Sequence, residues 1–276
     1  MESFWRPRPV VVAGPCVLED DALNLQVARK LAELAQRLGF RAIFKASFDK
    51  ANRTNRHAHR GPGLEAGIDA LSLVREEVGL PVLTDVHESW QVEHVAPSVD
   101  ALQIPAFLCR QTDLLESAGA TGKPVNIKKG QWMAPEAMSG AVDKVVGAGG
   151  SDVIVTERGT FFGFGDLVVD MRNFMRLRAV TGCPVLFDVT HSVQRPGSGV
   201  DMSSGGEPEY VPSLLCGAAA AGADGFFIET HPSPSQAPSD GASMWPLAKL
   251  EGLLLSAFRV WHARSPTPEA GCSNRQ

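Results

Sequence analysis

Lys45, Lys50, Asn52, Arg53 and Thr54 fall within ten residues of one another, directly after the apolar run Ala42-Ile43-Phe44. Three fixed cations and several neutral donors at the end of a strand suit a small ligand with more than one negative charge, such as a phosphate or a carboxylate. A solvated basic loop is the plainer explanation, since Lys and Arg are common on surfaces. Recurrence favours the ligand. Short apolar runs repeatedly end in ionisable or polar residues: Val10–Ala13 before Cys16, Pro81–Thr84 before Asp85, His87 and Glu88, and Ala101–Ile104 before Arg110. The pattern continues with Pro124–Ile127 before Lys128, Asp152–Val155 before Glu157 and Arg158, Pro184–Phe187 before Asp188 and His191, and Gly225–Ile228 before Glu229 and His231.

The elements that must position these residues follow from the patterning between them. Leu23, Val27, Leu31, Leu34 and Leu38 form one helical stripe, stopped by Gly39. The same rhythm runs through 64–78, 91–95, 112–118, 135–146, 167–180, 210–220 and 247–261. Strands too short and apolar to alternate, each followed by a helix, predict a parallel sheet covered by helices. Eight such units of about 34 residues each have the size of a (β/α)8 TIM barrel. A doubly wound open sheet is the runner-up, weakened because no G-x-G-x-x-G follows the first strand. In a barrel the polar residues would gather at the carboxyl ends of the strands, where such folds keep their active sites.

Composition narrows the class. With 44% hydrophobic and 21% charged residues the chain is an ordinary globular one, and its net charge of −5 argues against a general nucleic-acid or membrane-surface role. No apolar run approaches a membrane span, and no signal-peptide core opens the sequence. Five cysteines without regular spacing do not form a disulfide framework, which fits a reducing cytoplasm. The expectation is one catalytic domain over 1–264, with a flexible polar tail over 265–276.

Three longer motifs, Lys45–Arg53, Gln103–Asp113 and Asp188–Gln194, resemble the 3-deoxy-D-manno-octulosonate 8-phosphate synthases, and the likeness extends from about Val10 to Ala257. The resemblance implies condensation of phosphoenolpyruvate with D-arabinose 5-phosphate and release of inorganic phosphate. It further implies a role in lipopolysaccharide biosynthesis, a (β/α)8 barrel and a homotetramer. It assigns Lys45, Lys50, Lys128 and Arg158 to phosphoenolpyruvate, and Asn52, Arg53 and Thr54 to the sugar phosphate. Thr54 stands where the family usually has serine and keeps the hydroxyl. Arg110 resembles an arginine that reaches the pentose phosphate of a neighbouring subunit. Two anions sharing one cavity would need this density of cations, because they repel each other once water is excluded.

Cys16, His191, Glu229 and Asp240 resemble the ligands of the family's metal-dependent branch; the metal-independent branch has asparagine at the position of Cys16. A thiolate, an imidazole and two carboxylates suit one divalent ion such as Fe, Mn, Zn or Co. Spacing alone would not have suggested the set, and without the family Cys16 is most simply a small buried residue and His191 a core histidine. Candidates for catalysis are His191, Lys128 and Asp85, with Glu88 a weaker acid–base candidate and Asp49 placed to orient Lys50. His231 shares a strand face with Glu229 and is left out of the ligand set. The segments around Gly197-Ser198-Gly199 and Ser233–Ser239 read as loops able to close over substrates.

Two alternatives stand beside this one. The sister reaction with erythrose 4-phosphate would use the same residues, but it typically carries Lys-Pro-Arg-Thr where this chain has Lys50-Ala51-Asn52-Arg53. A non-catalytic phosphate-binding barrel predicts loss of one of the key positions, and none is lost.

Overall fold

The structure, a computed structural model, describes residues 2–52, 56–161, 165–197 and 205–264. Among these residues, eight strands form one closed parallel barrel: β1 Val10–Gly14, β2 Arg41–Lys45, β3 Val82–Asp85, β4 Ala101–Ile104, β5 Val125–Lys128, β6 Val153–Glu157, β7 Val185–Asp188 and β8 Gly225–His231. Closure is explicit in the register, since Val10 pairs with Arg41 on one side and with Gly225 on the other. The helices α1 Asp21–Leu38, α2 Leu64–Val78, α3 Ser89–Val95, α4 Thr112–Ala120, α5 Met138–Gly147, α6 Asn173–Thr181, α7 Val211–Ala220 and α8 Leu250–Ala263 lie between or after the strands. This is the (β/α)8 barrel that the alternation of patterns predicts.

Local chemistry sets the boundaries. Asp20 caps α1 by accepting a hydrogen bond from the Leu23 amide, and Gly39 ends it in the left-handed region at φ 71°. At Gly14 any side chain is excluded, because a Cβ there would lie 2.0 Å from the Lys45 carbonyl oxygen. One expectation needs correction: the helix predicted from Leu167 starts at Asn173. Leu167–Val168 instead pairs antiparallel with Thr160–Phe161, and a turn at Asp170, whose carbonyl accepts from the Asn173 amide, starts the helix afterwards.

Two apolar layers hold the barrel. Val11, Phe44, Leu102, Val125 and Phe187 face outward into the packing against the helices. Val10, Val12, Ile43, Leu83, Ala101, Ile154, Leu186 and Phe227 face inward and fill the lumen. Trp5 plugs the amino-terminal end, fully buried, with its indole N–H donating to the Asp152 carbonyl at 3.3 Å. Above this apolar floor lies a polar layer in which Thr156 donates to Asn126 and Asn126 donates to Gln103, at 2.6 and 2.9 Å. Strand period then dictates the site: two residues beyond Ile43, Leu83, Asn126, Leu186 and Phe227 stand Lys45, Asp85, Lys128, Asp188 and Glu229, on the same inward face.

Candidate active site

Those inward side chains open into a cavity of about 600 Å³ at the carboxyl ends of the strands, also lined by Lys50, Asn52, His87, Arg158, His191, Gln194 and Asp240. Most of the predicted site is therefore brought together. Arg53 and Thr54 lie outside the described residues. Arg110 is exposed and absent from the lining, with its carbonyl accepting from Lys144 at 3.0 Å. Gly197 lines the cavity, while Ser198 and Gly199 are outside the described residues. The segment Ser233–Ser239 contains a helical turn, Pro234–Gln236, and ends with the Ser239 hydroxyl 3.0 Å from the Cys16 sulfur. Glu88 lines the rim, and Asp49 pairs with Arg60 rather than with Lys50.

The buried cations are held by acceptors on other strands and on the loops that follow them. Lys45 Nζ donates to Ser47 Oγ at 2.9 Å and stands 3.5 Å from Asp85 and 3.6 Å from Glu229. Lys128 Nζ donates to Asp188 Oδ2 at 2.5 Å and sits 3.0 Å from the centre of the Phe227 ring. Asp188 also approaches His191 Nδ1 at 2.7 Å and accepts from its amide at 3.0 Å, capping the single helical turn Val189–Ser192. Arg158 donates through Nη2 to Gln194 at 3.0 Å, while its Nη1 is buried with no hydrogen-bond partner among the described residues. A buried donor without a partner is costly, and an oxyanion in the cavity would satisfy it.

Environment sets the charges. Burial pushes the Lys128 ammonium down to about 8, with Asp188 opposing that shift. Burial raises Asp188 and Asp85, but the neighbouring His191 and Lys128, and Lys45 and His87 respectively, outweigh it and hold both carboxyls well below their ordinary range. Burial also opposes charge on Lys50, yet the surrounding acids Cys16, Glu229, Asp85 and Asp240 raise its pKa.

Cys16, Glu229 and Asp240 form a second cluster at one side of the cavity, their donor atoms within 4.8 Å of one another. The Cys16 sulfur donates to Asp240 Oδ2 at 2.9 Å, and burial together with the two carboxylates raises its pKa well above the usual thiol value. Glu229 is almost fully buried, yet neither of its carboxylate oxygens accepts a hydrogen bond from the described residues. His191 Nε2 stands 3.7 Å from Glu229 Oε2, beside this group. Asp240 adopts a left-handed backbone at φ 52°, a conformation uncommon for non-glycine residues although Asp takes it more readily than most. One thiol and two carboxyls, one with both oxygens unsatisfied, fit a divalent transition ion. His231, set aside from the ligands, stands 3.0 Å from Glu19 and does not line the cavity.

Sequence reasoning passed over three contributors: Asp188 as the joint partner of Lys128 and His191, Gln194 as the bridge from Arg158 to Asp240, and Ser47 as the link from Lys45 to Asp85. Asp188 occupies the same strand-end position as Lys128 and Glu229, which is the signal that could have found it. Gln194 and Ser47 carry no such signal.

The fold and site together define a (β/α)8 barrel whose cavity gathers buried cations, beside a thiol–carboxylate cluster fit for a metal ion. The chain belongs to the DAHP synthetase I family, whose match covers residues 6–259. It is 56% identical over 244 residues to a protein of Rhodopseudomonas palustris (strain ATCC BAA-98 / CGA009) named 2-dehydro-3-deoxyphosphooctonate aldolase, covering 88% of this chain and 85% of that one. Proteins of the same name from Bradyrhizobium sp. (strain ORS 278) and Syntrophotalea carbinolica are 55% identical over 250 residues and 53% over 259. The alignments cover 90% and 94% of this chain, and 87% and 93% of those relatives.

Proposed function

We propose that this protein is a 3-deoxy-D-manno-octulosonate 8-phosphate synthase of the metal-dependent branch, acting on phosphoenolpyruvate and D-arabinose 5-phosphate in the cytoplasm to supply lipopolysaccharide biosynthesis. Two features meeting in one cavity support the reading: the partnerless Nη1 of Arg158 among buried lysines, and the unsatisfied carboxylate of Glu229 beside Cys16 and Asp240. The relatives' shared name favours the octulosonate reaction over the erythrose 4-phosphate alternative.

In this reading Lys45, Lys50, Lys128 and Arg158 bind phosphoenolpyruvate, and Asn52 with Arg53 and Thr54 receives the sugar phosphate. The C3 carbon of phosphoenolpyruvate attacks the aldehyde carbon of the open-chain pentose phosphate, whose oxygen takes up a proton. Water adds to the electron-deficient C2 and loses a proton, and inorganic phosphate then leaves from that carbon with C–O cleavage as the new hydroxyl gives up its proton and becomes the C2 carbonyl. Lys128, charged below about pH 8, stabilises the phosphoenolpyruvate anion, and its hydrogen bond to Asp188 fixes where that charge lies. The Asp85 carboxylate stays ionised and so acts as an acceptor, toward a substrate hydroxyl or the attacking water. A divalent ion held by Cys16, His191, Glu229 and Asp240 would supply Lewis acidity toward the aldehyde or the water. His191, with Nδ1 directed at Asp188, presents Nε2 to the same region. The active unit is a homotetramer in which Arg110 of one subunit completes the sugar-phosphate site of another. The domain spans 1–264.

Phosphate release from phosphoenolpyruvate plus arabinose 5-phosphate tests the reading, before and after chelation and with divalent metal restored. Loss to the chelator and recovery with metal support it. Activity that survives demonstrated removal of the metal would reject metal dependence but keep the synthase. A preference for erythrose 4-phosphate would overturn the substrate.

A further inference from the structure

Immediately behind the cavity, on the outward face of the barrel, Lys129 and Glu157 are both completely buried, with Nζ 3.5 Å from Oε1. They are the sequence neighbours of Lys128 and Arg158, so strand alternation sends one member of each couple into the cavity and the other away from it. Burying an ammonium and a carboxylate is expensive, and the cost is met only where both find further partners. Here both do, and nearly all of those partners belong to the two turns that follow β5 and β6. Glu157 Oε1 accepts from the amides of Arg158 and Gly159, at 2.9 and 2.7 Å. Its other oxygen accepts from Asn173 Nδ2 at 2.9 Å, tying the turn to the start of α6. Lys129 Nζ donates to the Gly130 and Gly159 carbonyls and to the Thr160 hydroxyl, at 3.2, 3.3 and 3.2 Å.

The pair therefore grips both turns from behind. Gly159 needs the left-handed region, at φ 88°, and the chain leaves it as Thr160–Phe161 with the Phe161 amide donating to the Gln131 carbonyl at 2.8 Å. Gln131 and Phe161 both line the cavity, as does Arg158. We infer that Lys129 and Glu157 are positioning residues that fix the Arg158 guanidinium at the oxyanion end of the cavity, without touching the ligand themselves. This rests on the reading of Arg158 as part of the phosphoenolpyruvate site. It extends that reading to two residues that have no other evident part in the chemistry.

The test compares the full-length chain with Glu157→Gln, which keeps shape but removes charge, and with the double variant Lys129→Met/Glu157→Gln, which removes both buried charges together. Inorganic phosphate binding is measured by calorimetry, alongside the KM of each substrate and the melting temperature. The expected result is phosphate binding weaker by about tenfold and an equal rise in the KM for phosphoenolpyruvate, with the KM for arabinose 5-phosphate within about twofold of wild type. Unchanged phosphate affinity in a variant that melts like wild type overturns the inference. An equal rise in both KM values does so too, because that is what general loosening would give. Should Glu157→Gln alone fail to fold, the double variant, which leaves no unpaired charge, decides by the same readings. A wild-type chain that binds phosphate without turning over the two substrates would count against the proposed reaction only, and the phosphate comparison would still decide the role of the pair.

Discussion

Lys128 and Asp188 face each other across the barrel lumen, Nζ to Oδ2 at 2.5 Å, both buried and separated by 60 residues of chain. The carboxylate keeps an ammonium charged in a place where burial alone would tend to neutralise it. Replacing Asp188 with Asn removes that support and the anionic partner of His191 together. The turnover number is expected to fall by at least about tenfold, because a buried charge left without its partner costs several kcal/mol. A kcat within twofold of wild type for a folded Asp188→Asn protein would sink the assignment.

The pH dependence follows from the same pair. Burial lowers Lys128 to about 8, so its charged fraction falls as pH rises through that value. The KM for phosphoenolpyruvate should accordingly climb on the alkaline side of pH 8. In Asp188→Asn the supporting carboxylate is gone, the lysine titrates lower still, and the climb should begin at lower pH. Arginine at position 128 stays charged throughout and should flatten this limb. Profiles of KM against pH for the three proteins check the order, and an unmoved limb in Asp188→Asn contradicts it.

Burial and two carboxylates raise the pKa of the Cys16 thiol well above its usual value, which favours the protonated form. A metal takes the thiolate, so binding must expel that proton. Calorimetric titration of the metal-free protein with zinc, in buffers of differing ionisation heat, should report about one proton released, and affinity should rise with pH. Cys16→Ser should lower the metal content found by elemental analysis. Proton-neutral binding with full metal content in Cys16→Ser would remove the thiol from the site.

Trp5 offers a test of stability apart from catalysis. It fills the amino-terminal mouth of the barrel, against the inward Val10, Val12 and Ile43. Truncation to Ala should destabilise by about 3–5 kcal/mol, the usual cost of emptying a large aromatic site. Denaturant unfolding measures it. A loss below about 1 kcal/mol would mean that the lumen closes without the plug.

Much of the site was legible because charge stands out against short apolar strands. Lys45, Asp85, Lys128 and Glu229 could be read as one group once the barrel was expected, since a period of two fixes which residues at a strand end face inward. The start of α6 was not legible: Leu167 and Val168 fit a helical rhythm, yet they pair with Thr160 and Phe161 in a short ribbon. In the sequence Lys129 and Glu157 are indistinguishable from ordinary strand-end charges, and only their complete burial separates them from solvated ones.

Sequence by itself determined the eight strand–helix units, the parallel barrel they form and the end of it at which ionisable side chains collect, because hydrophobic period and chain alternation are local properties. Tertiary structure alone decided which groups meet. Cys16 and Asp240 touch across 224 residues, and the order of strands around a closed barrel, rather than spacing along the chain, makes them neighbours. It also decided the charge each group carries, since burial and the nearest opposite charge shift Lys128, Asp188 and Cys16 in ways that no residue's own type contains.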